Sequence, residues 1–190
     1  MLIKTKDFLA EQFSIDSRIC ELSGQAEHDI APRLSLLDQN KEYNQYKILK
    51  AFQKNRVSDS HFTYSTGYGY GDIGRDTLDR VYADVFGCED CLVRPQFVSG
   101  THAISTALFG NLRPGDTLLS VTGRPYDTLE GIIGIKDSPG SLKEYGVNYR
   151  QVDLTGGGDF DFAGIERGLR EDNSVSMVEI QRSTGYGWRP

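Results

Sequence analysis

The 21 glycines of this chain are distributed unevenly, and this feature divides the sequence into two parts. Only Gly24 precedes residue 66, and the other 20 glycines follow it. In the glycine-poor part, apolar residues recur at steps of three or four between residues 15 and 37, which is the spacing of one helical face. The sequence therefore predicts an N-terminal helical segment over residues 1–60 and a second domain over residues 61–190.

Pro32 lies inside this helical pattern and is expected to kink or divide the helix. A second amphipathic stretch follows between residues 43 and 52. A long helix ahead of the main body suits an arm across a subunit interface, but a helix that packs on its own domain has the same pattern. The sequence leaves both interpretations open.

Beyond residue 75, helical patterns alternate with short apolar runs. Helices are predicted over residues 78–86, 103–110, 126–134 and 162–169, and strands over residues 91–98, 117–121, 147–154 and 175–180. Pro95 puts strain on any central position in the first of these strands. This alternation predicts an α/β fold with a mostly parallel sheet that helices cover on both faces. Because the sequence ends on a loop directly after the last strand, we expect a truncated fragment, the first half of such a sheet.

The composition argues against several classes of protein. A balance of 21 basic and 27 acidic residues gives a net charge of −6, so nothing marks a nucleic-acid-binding protein. No apolar run approaches the ~20 residues of a membrane span, and the charged N-terminus lacks the apolar core of a secretory signal. Three cysteines are too few for a disulfide scaffold and fit a reducing compartment, so we expect a cytoplasmic protein.

Residues 69–74 read Gly-Tyr-Gly-Asp-Ile-Gly and match the dinucleotide pattern G-x-G-x-x-G. The pattern is informative only between a buried strand and a helix, and the polar residues before it do not predict such a strand. A nicotinamide-dependent oxidoreductase is therefore a minor alternative. The same loop carries Tyr64, Tyr68 and Tyr70 ahead of Arg75, and phenol and guanidinium groups are suitable donors to phosphate oxygens. A loop that only packs against its surroundings is an equal interpretation.

Ser99, Gly100 and Thr101 form a second candidate anion site. We expect them where a strand ends and a helix begins, so that unpaired backbone N–H groups converge there. A plain helix N-cap is the simpler interpretation, because Ser and Thr cap helices with or without a ligand. Tyr126 follows the next strand, where open α/β sheets bind ligands, and an exposed tyrosine can stack on a planar ring. An ordinary helix start with an aromatic residue remains the alternative.

Cys88 and Cys91 have C-x-x-C spacing. A zinc site would need two further ligands, and the sequence has no second pair. A redox dithiol would prefer a helix N-terminus, whereas this pair follows the C-terminus of a predicted helix. We therefore interpret the pair as ordinary packing at a corner between helix and strand. His102 alone supports neither a metal site nor a catalytic base, and no metal site is expected.

Five groups of motifs occur in a fixed order. They are Gly67-Tyr-Gly-Tyr-Gly-Asp-Ile-Gly-Arg-Asp76, Val98-Ser-Gly-Thr-His-Ala-Ile104, Arg113-Pro-Gly-Asp116, Pro125-Tyr-Asp-Thr-Leu129, and Gln181-Arg-Ser183 with Trp188-Arg-Pro190. From about residue 15 to its end, the chain resembles the methionine gamma-lyase family, also called aluminium-resistance proteins. The resemblance implies a pyridoxal-phosphate enzyme with the aspartate-aminotransferase fold (fold type I).

The resemblance also implies roles for particular residues. Ser99, Gly100 and Thr101 correspond to the loop that holds the cofactor phosphate, and Tyr126 to the aromatic residue that stacks on the pyridine ring. The Tyr/Arg loop resembles the one that related lyases extend across a dimer interface to the partner's phosphate, with the register left open. Its residues here are Tyr68, Tyr70 and Arg75. Arg182 is expected near the substrate carboxylate.

The family's catalytic residues are expected beyond Pro190. These are the lysine that forms the Schiff base and the aspartate that pairs with the pyridinium nitrogen. Lys136 and Lys143 fall between a helix and a strand and do not match, so the chain alone is expected to be inactive. The activity implied for the full-length homodimer or homotetramer is elimination from methionine or cystathionine. A non-catalytic fragment or a partner-dependent subunit is the alternative.

Overall fold

The structure is a computed structural model that describes residues 5–182 of the chain. Within that span the elements follow the order α1 (Thr5–Phe13), α2 (Ser17–Lys54), α3 (Ile73–Phe86), α4 (Gly100–Asn111), β1 (Thr117–Ser120), α5 (Asp127–Ile133), β2 (Asn148–Gln151), α6 (Phe162–Glu171) and β3 (Val175–Glu179). A short 3-10 helix at Asp59–Phe62 lies between α2 and α3. Helices alternate with parallel strands after residue 99, which confirms the predicted α/β class.

Contacts between residues group the chain into two units, Met1–Arg94 and Pro95–Pro190. The first unit contains α1 to α3, and the second contains α4 to α6 with the three strands. The domain boundary at residue 60, between the helical segment and the second domain, stays a prediction. None of the helices between residues 5 and 182 has the apolar length that a membrane crossing requires.

In the first unit, α2 runs without interruption over 38 residues, about 57 Å at 1.5 Å per residue. Asp16 caps its N-terminus by accepting a hydrogen bond from the Arg18 backbone N–H at 2.8 Å. Pro32 lies inside the helix and does not divide it. A proline removes one backbone hydrogen bond, and the turns on either side keep theirs. The second amphipathic stretch is therefore the C-terminal half of the same helix.

The α3 helix packs against α2, and Asp84 of α3 accepts a hydrogen bond from Asn55 Nδ2 at 2.7 Å. Asp72 caps the N-terminus of α3 by accepting from the Arg75 backbone N–H at 2.9 Å. Gly87 ends the helix in the left-handed conformation, at φ +68°, which a glycine adopts without steric cost. The predicted helix and its stop at Gly87 are confirmed.

The strand predicted over residues 91–98 is wrong, because this segment is irregular. One backbone N–H of this segment is bound by a side chain and not by a neighbouring strand. The Val93 N–H donates to Asp79 Oδ1 at 2.9 Å, and Arg94 Nη1 donates to the same oxygen at 2.6 Å. Pro95 has no N–H to donate to a strand ladder and lies in a turn.

In the second unit, the strands form a parallel sheet in the order β2-β1-β3. Leu118 of the central strand is paired with Tyr149 on one side and Met177 on the other. Leu118 belongs to an apolar core that consists of Leu108, Leu112, Leu118, Leu129, Ile133, Leu142 and Val147. On α6, a Cβ at Gly168 would lie 3.7 Å from Leu119 Cδ2, so that helix packs closely on Leu119. Successive residues of β1 thus meet different helices, as expected for a sheet covered on both faces.

Candidate functional site

The segments that follow β1 and β3 are joined by two hydrogen bonds. The Gln181 backbone N–H donates to Thr122 Oγ1 at 3.1 Å, and Gln181 Oε1 accepts from the Tyr126 backbone N–H at 2.8 Å. Tyr126 is half-buried and is thereby held at the start of α5. Arg182 follows Gln181 and is exposed. Sequence analysis assigned no role to Thr122 or Gln181, although their position after parallel strands is a signal for them.

Ser99 is the N-cap of α4, and its Oγ accepts a hydrogen bond from the His102 backbone N–H at 3.1 Å. The capping interpretation is therefore confirmed, and the Ser99 hydroxyl can still donate its own hydrogen. Gly100 and Thr101 begin the helix, where backbone N–H groups have no partner within the helix. A Cβ at Gly100 would meet no heavy atom within 4 Å, so the space beside this backbone is open. The segment before Ser99 is irregular, with a turn at residues 95 and 96, and is not the expected strand.

The starts of α4 and α5 meet through two hydroxyl groups. Thr101 Oγ1 lies 3.2 Å from Thr128 Oγ1, which belongs to the first turn of α5. The fold therefore brings Ser99, Gly100 and Thr101 close to the segment that carries Tyr126. Thr128 lay in a quoted motif but received no role from the sequence, since its proximity to Thr101 depends on how the two helices pack.

The guanidinium closest in sequence to Tyr126 is engaged by a carboxylate. Arg124 Nε donates to Glu130 Oε1 at 2.5 Å. This hydrogen bond lowers the pKa of Glu130 and raises the pKa of Arg124, because each charge stabilises the other. The donors described at the start of α4 are hydroxyl and backbone N–H groups.

The first unit contains the other predicted site residues. Tyr68 and Tyr70 lie on an irregular loop and are almost fully exposed, at 87% and 107% of the reference area. Arg75, at the start of α3, donates from Nη1 to the Gly67 carbonyl oxygen at 2.9 Å and from Nε to Asp76 Oδ1 at 2.9 Å. The loop is thus tied to the helix by a side chain, and its phenol groups face solvent.

The glycine pattern at residues 69–74 follows a 3-10 helix and an irregular segment, so the strand that a dinucleotide site requires is absent before it. Within residues 5–182, no group of three or more His, Cys, Asp or Glu side chains is arranged to hold a metal ion. Ser183 and the Trp188-Arg-Pro190 motif lie outside the described residues.

A titratable pair lies beside the central strand. Tyr149 of β2 is half-buried, and its burial together with the negative charge of Glu179 raises its pKa to about 12. Glu179 ends β3, and within the described part of the chain its Oε2 is buried without a hydrogen-bond partner. The sequence offers no signal for this pair. Tyr149 and Glu179 lie on β2 and β3, which flank β1 on opposite sides, and this strand order is set by the tertiary structure.

Comparison with known proteins agrees with this architecture. The family model described as methionine gamma-lyase matches residues 19–190. A Clostridium acetobutylicum protein, provisionally named a cystathionine beta-lyase involved in aluminum resistance, has a solved structure with 54% identity and a TM-score of 0.92; the match covers 100% of this chain and 46% of that one. A structure named carbon-sulfur lyase involved in aluminum resistance, from Clostridium novyi NT, has 54% identity and a TM-score of 0.91, over 100% of this chain and 45% of that one.

A curated relative, the uncharacterized protein YnbB of Bacillus subtilis, is 52% identical over 168 residues, which are 87% of this chain and 39% of YnbB. The chain thus spans less than half the length of each of these relatives. The family match extends over nearly the whole chain, and both solved structures superpose on all of it. The chain belongs to the methionine gamma-lyase family.

Proposed function

We propose that this chain is part of a pyridoxal-phosphate-dependent carbon–sulfur lyase that acts on a sulfur amino acid by elimination, of the methionine gamma-lyase or cystathionine lyase type. The observation that carries the proposal is the contact of the α4 N-terminus with Thr128, two residues after Tyr126, in a chain of this family. The names of the two Clostridium relatives support the carbon–sulfur lyase chemistry. The activity is proposed for the whole protein, since the chain spans less than half of these relatives.

The residues at the start of α4 fit the phosphate of this cofactor. Phosphate is bound well by backbone N–H groups at a helix N-terminus, where the helix dipole also favours negative charge. Gly100 and Thr101 supply such N–H groups, and Ser99 and Thr101 add hydroxyl donors. Because the space beside Gly100 is open, an anion can approach the backbone there. We assign phosphate binding to these three residues.

Tyr126 is assigned to stacking on the cofactor ring. Its backbone N–H is held by Gln181 Oε1, which fixes the start of α5 relative to the end of β3. Arg182, one residue farther along and exposed, is assigned to the substrate carboxylate, because a guanidinium pairs with a carboxylate through two parallel hydrogen bonds. Both assignments lie at the carboxyl ends of parallel strands, where open α/β sheets bind their ligands.

Tyr68 or Tyr70, with Arg75, is assigned to the cofactor phosphate of a partner subunit in a homodimer or homotetramer of the full-length protein. Two features of the first unit support this. The phenol groups are exposed on a loop that Arg75 ties to α3. The α2 helix also carries many exposed apolar side chains, including Leu22 at 71% and Ile19 at 60%, which a partner would cover.

Bound pyridoxal phosphate supplies an electron sink for the charge that develops at the substrate carbon when a proton leaves it. The residues of this chain are proposed to hold and orient the cofactor and the substrate. Proton transfer is assigned to residues that this chain does not contain. Lys143 pairs with Asp137 at 3.3 Å beyond the C-terminus of α5, and Lys136 lies in the same connection. We therefore propose that the 190-residue span alone is inactive and that the protein works in the cytoplasm, because three cysteines, all of them free in the structure, fit a reducing compartment.

The test is Tyr126→Ala in the intact protein loaded with pyridoxal phosphate. Loss of ring stacking should weaken cofactor retention about tenfold and shift the absorbance of the bound cofactor. Tyr126→Phe is the matched control and should retain the cofactor as the unchanged protein does. Equal retention and an unchanged spectrum in the alanine variant would remove the stacking role.

The reaction is tested by thiol and 2-oxo acid release from methionine and from cystathionine. Release that requires added pyridoxal phosphate supports the lyase. Binding of NADH with no binding of pyridoxal phosphate would favour the oxidoreductase alternative. Cofactor binding without release from any sulfur amino acid would favour the non-catalytic or partner-dependent alternative.

A further inference from the structure

Two cysteine side chains of the first unit lie side by side at its surface. Cys88 Sγ and Cys91 Sγ are 3.3 Å apart, and both thiols are free. Cys88 is exposed and Cys91 is half-buried, whereas Cys20 is buried in α2. Because Cys88 is exposed, the packing role expected from the sequence accounts at most for the half-buried Cys91.

The segment that carries the two cysteines is anchored at both ends. Before it, the Cys88 backbone N–H donates to the Ala83 carbonyl oxygen at 3.1 Å, in the turn that follows Gly87. After it, the Val93 N–H is bound by Asp79 Oδ1 at 2.9 Å. Because these anchors belong to one helix, α3, the two sulfur atoms are held near each other. Their sulfur–sulfur distance is only about 1.3 Å longer than the S–S bond of a disulfide.

We propose that Cys88 and Cys91 form a dithiol modification site, which a small-molecule disulfide such as oxidised glutathione converts to an intramolecular disulfide. The proposal is independent of the proposed lyase function, because it uses no residue assigned to the cofactor or the substrate.

The two steps are thiol–disulfide exchanges. The Cys88 thiolate, the more exposed of the two, attacks one sulfur of the small disulfide, and one glutathione thiolate leaves. The Cys91 thiolate then attacks Cys88 Sγ in the mixed disulfide, and the second glutathione thiolate leaves. The two cysteines lose two protons and two electrons, and one disulfide molecule is reduced to two thiols.

The surroundings assign different roles to the two sulfurs. The hydrogen bond with Cys88 raises the pKa of Cys91, and burial and the negative charges of Asp90 and Asp79 raise it further. A thiol that ionises less readily is the poorer first nucleophile. Cys91 suits the second step, because the sulfur it attacks is already beside it.

The experiment treats the intact protein with oxidised glutathione, alkylates the remaining thiols and digests it with trypsin. Trypsin cleaves after Arg80 and next after Lys136, because a proline follows each arginine between them, so both cysteines lie in one peptide. Cys20 lies in another, between Arg18 and Arg33. We expect the peptide 81–136 to lose the mass of two hydrogen atoms and to escape alkylation, while the Cys20 peptide is alkylated. Alkylation of both Cys88 and Cys91, or a stable glutathione adduct on either, would overturn the proposal.

Two variants test the order of the steps. Cys91→Ser should stop the reaction at a mixed disulfide, with one glutathione on Cys88. Cys20→Ser is the matched control and should form the disulfide as the unchanged protein does. A Cys91→Ser protein that gains no glutathione would remove Cys88 as the attacking thiol. The peptide measurement on the unchanged protein decides the proposal even where a variant fails to fold.

Discussion

The central strand of the second unit and the long helix of the first unit have opposite relations to solvent. All four residues of β1 are buried, and Leu118 and Leu119 are 0% and 1% exposed. In α2, Cys20 and Ala51 are the buried residues among the 38 of the helix. The strand therefore derives its stability from contacts within its own unit. The helix keeps many apolar side chains exposed, and these are the side chains that the proposed partner subunit would cover.

Leu118→Ala should have the largest effect. Removing this side chain leaves a cavity between β1 and the helices of the core, and we expect a loss of about 2 to 5 kcal/mol in the free energy of unfolding. Leu22→Ala on α2 is the matched change at a position exposed within its unit, and at protein concentrations where the subunits are dissociated the loss should stay within about 0.5 kcal/mol. Urea unfolding measures both.

The outcome of this pair also bears on subunit assembly. A large loss in Leu22→Ala that depends on protein concentration would mean that the face of α2 is covered in the assembled protein. If Leu118→Ala and Leu22→Ala lost equally little free energy of unfolding, the comparison between strand and helix would be contradicted.

Asp79→Asn should have a smaller effect, within the first unit. Asp79 accepts from both Val93 and Arg94, and we expect a loss of about 1 to 3 kcal/mol when its charge is removed. Asp38→Asn on α2 is the control, because its ion pair with Lys41 is exposed and should contribute little. Urea unfolding at neutral pH compares the two variants.

The Asp79 contribution should also depend on pH. Burial raises the pKa of Asp79, but the hydrogen bonds from Arg94 and Val93 outweigh burial and lower it in the folded state. A depressed folded pKa means that the stabilisation is present above the unfolded value of about 3.9 and is lost as pH falls through the folded value. The difference between the unchanged protein and Asp79→Asn should therefore shrink in acid. A constant difference across that range would contradict the assignment.

Glu179→Gln should have the smallest effect and be visible as a change in the titration of Tyr149. Removing the negative charge makes the phenolate less unfavourable, so the pKa of Tyr149 should fall from about 12 toward the ordinary value of about 10. The ultraviolet titration of each protein is compared with that of the same protein carrying Tyr149→Phe, which isolates this residue. Glu171→Gln, at an exposed position, should leave the Tyr149 pKa unchanged.

Two regions show why sequence reasoning succeeded in one place and failed in another. In the second unit, the apolar runs and glycine stops predicted α4, β1, α5, α6 and β3 to within a few residues, because each element's pattern matches its burial. The segment 91–98 has a similar apolar character but is irregular, and the Asp79 side chain binds the Val93 N–H within it. That choice depends on a residue 14 positions away, which no local pattern records.

For the candidate site, Ser99, Gly100, Thr101 and Tyr126 were predicted from motifs, since Ser/Thr caps and aromatic helix starts are local features. Their roles toward a cofactor stay predictions. The pairs Thr101–Thr128 and Tyr126–Gln181 could not be predicted, because each joins residues from different elements. The Cys88–Cys91 pair was visible as spacing, but its exposure and its sulfur–sulfur distance were not.

The sequence by itself determined the α/β class and, through its motifs, the resemblance to the family. These follow from periodicity, glycine placement and motif order, which are properties of neighbouring residues. Only the tertiary structure decided which strands pair, that Pro32 leaves α2 whole, and which polar groups meet at the ends of β1 and β3. Those outcomes depend on contacts between residues distant in sequence, whose energies a local pattern does not contain.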